Sequence, residues 1–232
     1  MLELRDVSFA YGAVRAMRNV DLSVERASIH GLIGPNGAGK STCIDVVSGR
    51  KRASSGSIVY EGEPIGPRSI RWRRRAGISR SFQRISVFGE LTVADQLDLA
   101  ARAVGEDDID RIVEELSLVE VLDQPCNAIS YGQQRRVDIA MALMGKPDLI
   151  LLDEPAAGLS SEESIKLADH LAMLVRDRGA TVLLVEHDLE VVFRICDRLT
   201  VMEQGQVIAD GLPAEIRRDE RVVEAYFGSA ES

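Results

Sequence analysis

Apolar and polar positions alternate in two segments near the start of the chain, residues 2–9 and 20–24. A period of two is typical of strands that bury one face, so these segments predict a small antiparallel sheet, with residues 57–60 as a third candidate strand. Residues 29–33 read as a short apolar strand that runs into a glycine-rich turn, and residues 41–48 have helical spacing. The predicted order there is strand, loop, helix.

Between residues 91 and 143 the apolar spacing becomes helical, which predicts an inserted helical lobe. Its two clearest stripes are Ile109, Ile112, Val113 and Leu116, and Val137, Ala140, Met141 and Met144. Farther on, apolar strands at 149–152, 181–185 and 199–202 alternate with helical patterns at 161–176 and 189–196. This alternation is typical of a parallel sheet that is buried on both faces.

The composition fits a globular protein, because 45% of the 232 residues are apolar and 28% are charged. The formal net charge of -9 has the wrong sign for a protein that binds nucleic acid over a broad surface. Apolar runs stay far below the roughly 20 residues that a bilayer span needs. Residues 1–6 show no secretory signal. We therefore expect a cytosolic chain that does not cross a membrane.

The cysteines and one basic run predict no site of their own. Cys43, Cys126 and Cys196 are scattered and lack CxxC spacing, so we expect reduced structural thiols rather than a disulfide framework or a zinc site. The basic run is interpreted as a solvated helix face. It consists of Arg68, Arg71, Arg73, Arg74 and Arg75.

The strongest chemical signal matches the pattern G-x-x-x-x-G-K-[ST] at the predicted junction of strand and helix. We call this segment the phosphate loop; it consists of Gly34, Pro35, Asn36, Gly37, Ala38, Gly39, Lys40, Ser41 and Thr42. Glycines let successive backbone N–H groups point at phosphate oxygens, and the next helix presents its positive end to the same anion. Lys40 is expected to reach the β- and γ-phosphates of ATP, and the Ser41 hydroxyl to ligate Mg²⁺.

A second signal is an apolar strand that ends in two acidic residues, Asp153 and Glu154. Carboxylates beside a buried strand are costly unless a cation or a catalytic task compensates. Beside the phosphate loop, Asp153 is predicted to hold Mg²⁺ directly or through water. Glu154 points elsewhere and is predicted to polarise an attacking water molecule.

With these motifs the chain resembles the ATPase subunits of ATP-binding cassette (ABC) transporters over nearly its whole length. Residues 129–133, Ile-Ser-Tyr-Gly-Gln, look like the signature motif of that family, and we call them the signature segment. Gln83 matches the glutamine of the loop between the metal site and the membrane partner. His187 looks like the switch histidine, and Tyr11 sits where the family stacks an aromatic ring on adenine.

The resemblance implies a single α/β ABC cassette over residues 1–232: a phosphate-loop NTPase with a RecA-like parallel core, an N-terminal antiparallel β subdomain and an inserted α-helical subdomain. The implied boundaries are 1–87 and 145–232 for the RecA-like and antiparallel lobe and 88–144 for the helical signature subdomain. The implied activity is ATP hydrolysis, with ATP and Mg²⁺ as cofactors. The implied catalytic residues are Glu154, His187 and Gln83. The implied metal-binding residues are Ser41, Gln83 and Asp153.

The signature segment provides a second anion site in this scheme. Ser130 is a good N-cap, and a helix that starts near Gln133 would offer free N–H groups to a γ-phosphate. The family resemblance implies that Ser130, Gly132 and Gln133 serve the ATP of another subunit, in a head-to-tail dimer with two-fold symmetry. Three positions depart from the common pattern of the family: Tyr131 replaces a glycine, Ala156 a threonine or serine, and Ser160 an aspartate.

Details of the motifs resemble bacterial importers of branched-chain amino acids. The carriers of this resemblance are residues 130–136, 154–159 and 223–228. The implied partners are transmembrane permease subunits, a second ATPase subunit that is a copy or a sister chain, and indirectly a periplasmic or extracellular solute-binding protein. The implied location is peripheral, on the cytoplasmic face of the inner or plasma membrane, with no nucleic-acid partner. The transported solute itself is constrained only by kinship.

Three alternatives remain open on the sequence. Importers of urea or short amides are close relatives of the branched-chain type. Soluble ABC ATPases of translation or DNA maintenance share the motifs, but they usually carry two cassettes or a long coiled coil, and this chain shows neither. A phosphate-loop kinase is disfavoured because it gives Gln83, the signature segment and His187 no task.

Overall fold

The two kinds of apolar pattern give two sheets. The computed structural model describes residues 1–81, 85–105 and 109–227. The strands are β1 Leu2–Tyr11, β2 Val14–Val24, β3 Ile29–Ile33, β4 Ser55–Tyr60, β5 Glu63–Pro64, β6 Ile78–Arg80, β7 Leu149–Asp153, β8 Thr181–Val185, β9 Arg198–Glu203 and β10 Gln206–Gly211. The helices are α1 Lys40–Ser48, α2 Ile70–Arg75, α3 Val93–Val104, α4 Ile109–Glu115, α5 Tyr131–Leu143, α6 Ser161–Arg178, α7 Leu189–Ile195, α8 Pro213–Ile216 and α9 Glu220–Phe227.

The antiparallel sheet has the strand order β2-β1-β4-β5. Leu2 of β1 lies between Val24 of β2 and Tyr60 of β4, so the third candidate strand does join this sheet. The alternating apolar residues of β1 and β2 are buried and form part of one core with the side chains of α1. The predicted antiparallel sheet is therefore confirmed.

The second sheet has the order β10-β9-β3-β8-β7-β6 and is parallel except for β10, which runs antiparallel to β9. All residues of β3, β7 and β8 are buried. Successive residues of β7 face opposite cores: Ile150 packs with the helices after β6, and Leu151 packs with α1 and the antiparallel sheet. This sheet, covered on both faces, is the predicted parallel core.

Helices α3, α4 and α5 follow one another between β6 and β7, in the region with helical spacing. Leu97 of α3, Ile112 of α4 and Ile139 of α5 belong to the same apolar cluster as Val182 of β8. The helices thus pack on one face of the parallel sheet. The boundaries between lobes at residues 87/88 and 144/145 stay a prediction.

The interpretation of the basic run as a solvated helix face is correct for Arg68, Arg71 and Arg75, which are exposed, and wrong for Arg73 and Arg74. Arg73 of α2 is only 2% exposed and donates hydrogen bonds to the carbonyl oxygens of Val46 and Val47 (2.8 and 2.5 Å), at the end of α1, and to that of Ile65 (2.7 Å). Arg74 donates to the carbonyl of Met144 at 2.5 Å, just beyond α5. Because the last carbonyls of a helix have no partner within it, the buried Arg73 guanidinium binds those of α1, and the half-buried Arg74 binds the C-cap carbonyl of α5.

Cys43, Cys126 and Cys196 are all buried free thiols, as structural thiols would be. Burial raises the pKa of Cys43 and Cys196 to about 12, so both remain protonated near neutral pH. Among the residues that the structure describes, no helix is both long and apolar enough to cross a membrane.

Candidate nucleotide site

The phosphate loop connects the carboxyl end of β3 to the start of α1, as the sequence predicted. Gly34, Gly37 and Gly39 have positive φ angles of 145°, 80° and 103°. A Cβ atom at Gly34 would lie 2.0 Å from the carbonyl oxygen of Met202, and one at Gly39 would lie 2.4 Å from that of Ala16. Glycine is therefore required at both positions for backbone conformation and for close approach.

Lys40 begins α1 and turns its side chain back into the loop. Its ammonium donates hydrogen bonds to the carbonyl oxygens of Gly34 (2.6 Å) and Pro35 (2.9 Å). Burial lowers the pKa of Lys40, and the nearby charges of Glu154 and Asp153 act in the opposite direction. The loop, the lysine and two carboxylates thus share one electrostatic environment.

Ser41 and Asp153, the two described residues that were predicted to bind the metal, contact each other directly. The Ser41 hydroxyl donates a 3.0 Å hydrogen bond to Oδ1 of Asp153, and Arg80 approaches Oδ2 of the same carboxylate at 3.4 Å. Burial raises the pKa of Asp153, whereas the Ser41 hydrogen bond and the Arg80 charge lower it. The Ser41 hydroxyl and the Asp153 carboxylate are two oxygen donors, and this set fits Mg²⁺. In proteins Mg²⁺ commonly has one or two protein ligands, and its remaining ligands are phosphate oxygens and water molecules.

Arg80 has a second attachment that the sequence did not predict. It donates to Asp45 Oδ1 of α1 at 2.6 Å and to the Ser48 hydroxyl at 3.0 Å. Arg80 ends β6, so it links α1 and Asp153 to the end of that strand, three residues before Gln83 in the sequence. Gln83 itself lies outside the described residues.

Glu154 follows Asp153 in an unusual backbone conformation, with φ at 51°. Its N–H donates to the carbonyl of Val185 at 2.8 Å, and its own carbonyl accepts a hydrogen bond from Nη2 of Arg135 at 2.9 Å. Few residues other than glycine adopt this left-handed region, and such outliers cluster at functional sites. The backbone thus turns sharply between the two acidic side chains.

His187 follows β8 as predicted, and a buried neighbour fixes its backbone. Glu186 has no exposed surface, and its carboxylate accepts hydrogen bonds from the N–H groups of His187 (2.9 Å) and Ala156 (2.8 Å). The His187 ring is exposed, with Nδ1 3.5 Å from Glu186 Oε2. No role was predicted for Glu186, although an acidic residue at the end of a buried strand is the same signal that pointed to Asp153.

The signature segment caps α5 as predicted, but the helix starts at Tyr131, two residues before Gln133. The Ser130 hydroxyl accepts from the Gln133 N–H (3.2 Å), and the Gln133 side chain accepts from the Ser130 N–H (2.8 Å). This reciprocal pair is a capping box. A Cβ atom at Gly132 would lie 2.7 Å from Oε1 of Glu163, so the absence of a side chain here lets the Glu163 carboxylate of α6 approach the first turn of α5.

Tyr11 is half-exposed at the end of β1. Phe9 meets its ring edge-on at a centroid distance of 4.8 Å, and the Lys51 ammonium lies 5.1 Å from the ring centre.

Contacts in the structure bring Lys40, Ser41, Asp153 and Glu154 together. The side chains of Ser130 and Gln133 instead hydrogen-bond to each other's backbone N–H groups.

The fold and the phosphate loop together define the class, a nucleotide-binding protein of the phosphate-loop type. The family model described as ABC transporter matches residues 17–157. A second model, described as branched-chain amino acid ATP-binding cassette transporter, matches residues 206–232. The chain belongs to the ABC transporter family, as an ATP-hydrolysing, ATP-binding subunit.

Curated relatives match along nearly the whole chain. BraF of Pseudomonas aeruginosa, a high-affinity branched-chain amino acid transport ATP-binding protein, is 34% identical over 99% of this chain and 98% of its own. LivG of Escherichia coli, which carries the same description, is 32% identical over the same shares. LptB of Escherichia coli, a lipopolysaccharide export system ATP-binding protein, is 35% identical over 98% of this chain and 97% of its own.

Solved structures confirm the fold. A nucleotide-free ATP-binding cassette from an ABC transporter superposes with a TM-score of 0.89 at 31% identity and covers 98% of this chain and 99% of its own. A dimeric bacterial ABC transporter cassette superposes with a TM-score of 0.83 at 25% identity, over 92% of this chain and 99% of its own. The predicted ABC cassette fold is therefore correct.

Proposed function

We propose that this chain hydrolyses ATP to drive the import of branched-chain amino acids. The observation that carries the proposal is the match of residues 206–232 to the branched-chain family model. This segment comprises β10, α8 and α9, which lie outside the nucleotide motifs shared by all ABC transporters. It therefore distinguishes transport systems where the motifs do not, and the similarity to BraF and LivG points the same way.

In this proposal the phosphate loop binds the phosphates of the nucleotide. The Lys40 ammonium exchanges its bonds to the Gly34 and Pro35 carbonyls for bonds to the β- and γ-phosphates. The backbone N–H groups of the loop and the positive end of α1 hold the remaining phosphate oxygens. The exposed ring of Tyr11 stacks on adenine.

Ser41 and Asp153 are the proposed protein ligands of Mg²⁺, with Gln83 as a further one. An Mg²⁺ ion held by these residues would supply positive charge that offsets the negative charge developing on the phosphate oxygens. Arg80 holds Asp153 from the opposite side, so that Oδ1 stays directed at Ser41.

Glu154 is the proposed group that orients and polarises the attacking water. His187 stands near it on the neighbouring loop, and we assign it a contact with the γ-phosphate. Both loops are tied to one buried carboxylate, since Glu186 accepts hydrogen bonds from Ala156 and His187. The site is completed in a head-to-tail dimer, where Ser130, Gly132 and Gln133 of one subunit contact the ATP of the other.

The remaining partners follow from an importer of this type. Permease subunits would anchor the chain peripherally at the cytoplasmic face of the membrane, and a solute-binding protein would deliver the solute from outside. The second ATPase subunit is a copy of this chain or a sister chain.

Reconstitution with the permease subunits and the second ATPase subunit tests the function. ATP hydrolysis should rise on addition of leucine, isoleucine or valine with the solute-binding protein, and urea or acetamide should have no effect. Stimulation by urea or acetamide alone would move the chain to the urea and short-amide importers. The 35% identity to LptB makes lipopolysaccharide a necessary third arm, and stimulation by it alone would contradict the proposal.

A further inference from the structure

Arg135 lies on α5, five residues after the N-cap Ser130, and its side chain is fully buried. Its guanidinium Nη2 donates a 2.9 Å hydrogen bond to the backbone carbonyl of Glu154. Helix α5, the signature helix, therefore contacts the backbone of Glu154, the proposed water-polarising residue, within one subunit.

The contact falls where the backbone needs support. Glu154 has φ at 51°, a conformation that a residue with a side chain holds only when its surroundings fix it. The Val185 carbonyl holds the peptide group before Glu154, and Arg135 holds the peptide group after it. With both flanking peptide planes fixed, the direction in which the Glu154 side chain leaves the backbone is also fixed.

The same guanidinium faces a second buried group on α5. Nη1 of Arg135 lies 3.7 Å from Oδ2 of Asp138, and Oδ1 of Asp138 accepts a 3.2 Å hydrogen bond from the Ser86 N–H. Ser86 lies three residues after Gln83. A continuous series of polar contacts therefore runs from the segment after Gln83, through Asp138 and Arg135, to the Glu154 backbone.

We propose that Arg135 is a positioning residue for hydrolysis: it holds the Glu154 backbone so that the carboxylate meets the water at its own subunit's γ-phosphate. The inference rests on the proposed role of Glu154. It gives the signature helix two tasks in different sites, because Gly132 serves the partner's nucleotide whereas Arg135 serves the nucleotide of its own chain. Arginine suits this task because its planar fork contacts the carbonyl and Asp138 at the same time.

The test compares Arg135→Gln and Arg135→Lys with the wild type in the assembled transporter. For Arg135→Gln we expect kcat to fall at least about tenfold and KM for ATP to stay within about twofold, because binding groups are untouched. Lysine is a point donor that reaches one partner, so Arg135→Lys should recover part of kcat. Arg102→Gln, on the exposed surface of α3, is the matched control and should leave both constants unchanged.

Asp138→Asn provides a second route if Arg135→Gln fails to fold. The amide keeps an acceptor for Ser86 but loses the charge beside Arg135, so kcat should fall by about threefold with KM unchanged. Unchanged kcat in Arg135→Gln, or in Asp138→Asn where Arg135→Gln does not fold, would overturn the inference. So would a loss that appears mainly in KM, since a purely structural role of α5 would weaken nucleotide binding.

Glu154→Gln, measured beside these variants, distinguishes failure of the positioning role of Arg135 from failure of the proposed role of Glu154. If it is inactive while Arg135→Gln is fully active, only the positioning role fails. If Glu154→Gln retains wild-type turnover, the proposed role of Glu154 fails, and the role of Arg135 fails with it.

Discussion

The Ser41 hydroxyl donates a 3.0 Å hydrogen bond to the Asp153 carboxylate, across 112 residues of sequence. The bond joins the first turn of α1, directly after the phosphate loop, to the carboxyl end of β7. The hydrogen bond therefore holds the acidic strand end beside the phosphate loop, and we call the two together one unit. Substitutions in this unit should separate nucleotide binding from turnover.

Lys40→Ala should weaken ATP binding by about 100-fold, because it removes the cation that the loop directs at the β- and γ-phosphates. Titration with a fluorescent ATP analogue measures the change in Kd. Lys166→Ala, which removes an exposed lysine paired with Glu162, is the matched control and should bind as the wild type does. Wild-type affinity in Lys40→Ala would contradict the assignment of the phosphate loop.

Glu154→Gln should bind ATP normally and lose turnover, since an amide keeps the shape of the side chain but cannot polarise water as a carboxylate does. The expected signature is an ATP-stabilised dimer in size-exclusion chromatography, together with loss of phosphate release. Glu162→Gln, an exposed substitution of the same kind, should behave as the wild type. Full activity in Glu154→Gln would remove this residue from the mechanism.

Gly132→Asp should leave ATP affinity of the monomer nearly intact and eliminate hydrolysis, because it adds a negative charge where the partner's phosphate docks. The new side chain also meets Glu163, whose carboxylate can swing away because it is exposed. Gly132→Ala adds the Cβ atom without the charge and should lose less activity.

Mixing Gly132→Asp with Lys40→Ala sharpens this prediction. One intact site can still form, from the phosphate loop of the first variant and the signature segment of the second, so ATP-dependent dimerisation should return in part. Loss of ATP binding by the Gly132→Asp monomer would mean that the signature segment serves its own chain, contrary to the dimer described above.

Arg73→Met should lower the free energy of unfolding by about 3 kcal/mol, because carbonyl groups at the end of α1 would lose a buried charged donor. Burial lowers the pKa of Arg73 to about 10, so the group is still charged at neutral pH. Urea denaturation measures the change. Arg71→Met on the exposed face of the same helix should shift stability by less than about 0.5 kcal/mol, and equal losses in both variants would contradict the capping role.

His30 of β3 should make the protein sensitive to mild acid. Burial lowers its pKa to about 4, outweighing Asp210, which acts to raise it, while Arg198 lowers it further. Between pH 6.5 and 4 the unfolded chain therefore binds more protons at this residue, and stability falls as the pH falls. From pH 7 to 5 the wild type should lose about 2 kcal/mol more than His30→Gln, measured by urea denaturation at each pH. Parallel pH profiles would exclude His30 as the cause.

Much of the fold was predictable because it follows from local patterns. Alternation in β1 and β2, buried runs in β7 and β8, and the glycines around Lys40 each specify an element without knowledge of distant residues. The capping box of Ser130 and Gln133 is equally local, although the predicted helix start was two residues late. Arg73 was misjudged because its acceptors belong to α1 and to Ile65, and no periodicity along α2 reveals them.

The candidate site also combines residues that local sequence patterns predict with residues whose role depends on tertiary contacts. The sequence pointed to Lys40, Ser41, Asp153, Glu154 and His187 because each follows a strand or a glycine turn. The residues that hold them were not predicted. Arg80, Arg135 and Glu186 act through backbone groups or carboxylates on other elements, so their importance depends on tertiary contacts rather than on spacing.

The contact between Tyr131 and Gly158 bears on how pieces of this protein can be exchanged with those of its relatives. A Cβ atom at Gly158 would lie 2.9 Å from the Tyr131 ring, so the ring packs against the backbone of this glycine and a side chain there would have to displace it. A graft that replaced only the signature segment by the commoner glycine version would leave a gap beside residue 158. A chimera with a relative should therefore take Tyr131 and the turn after Glu154 from the same parent protein.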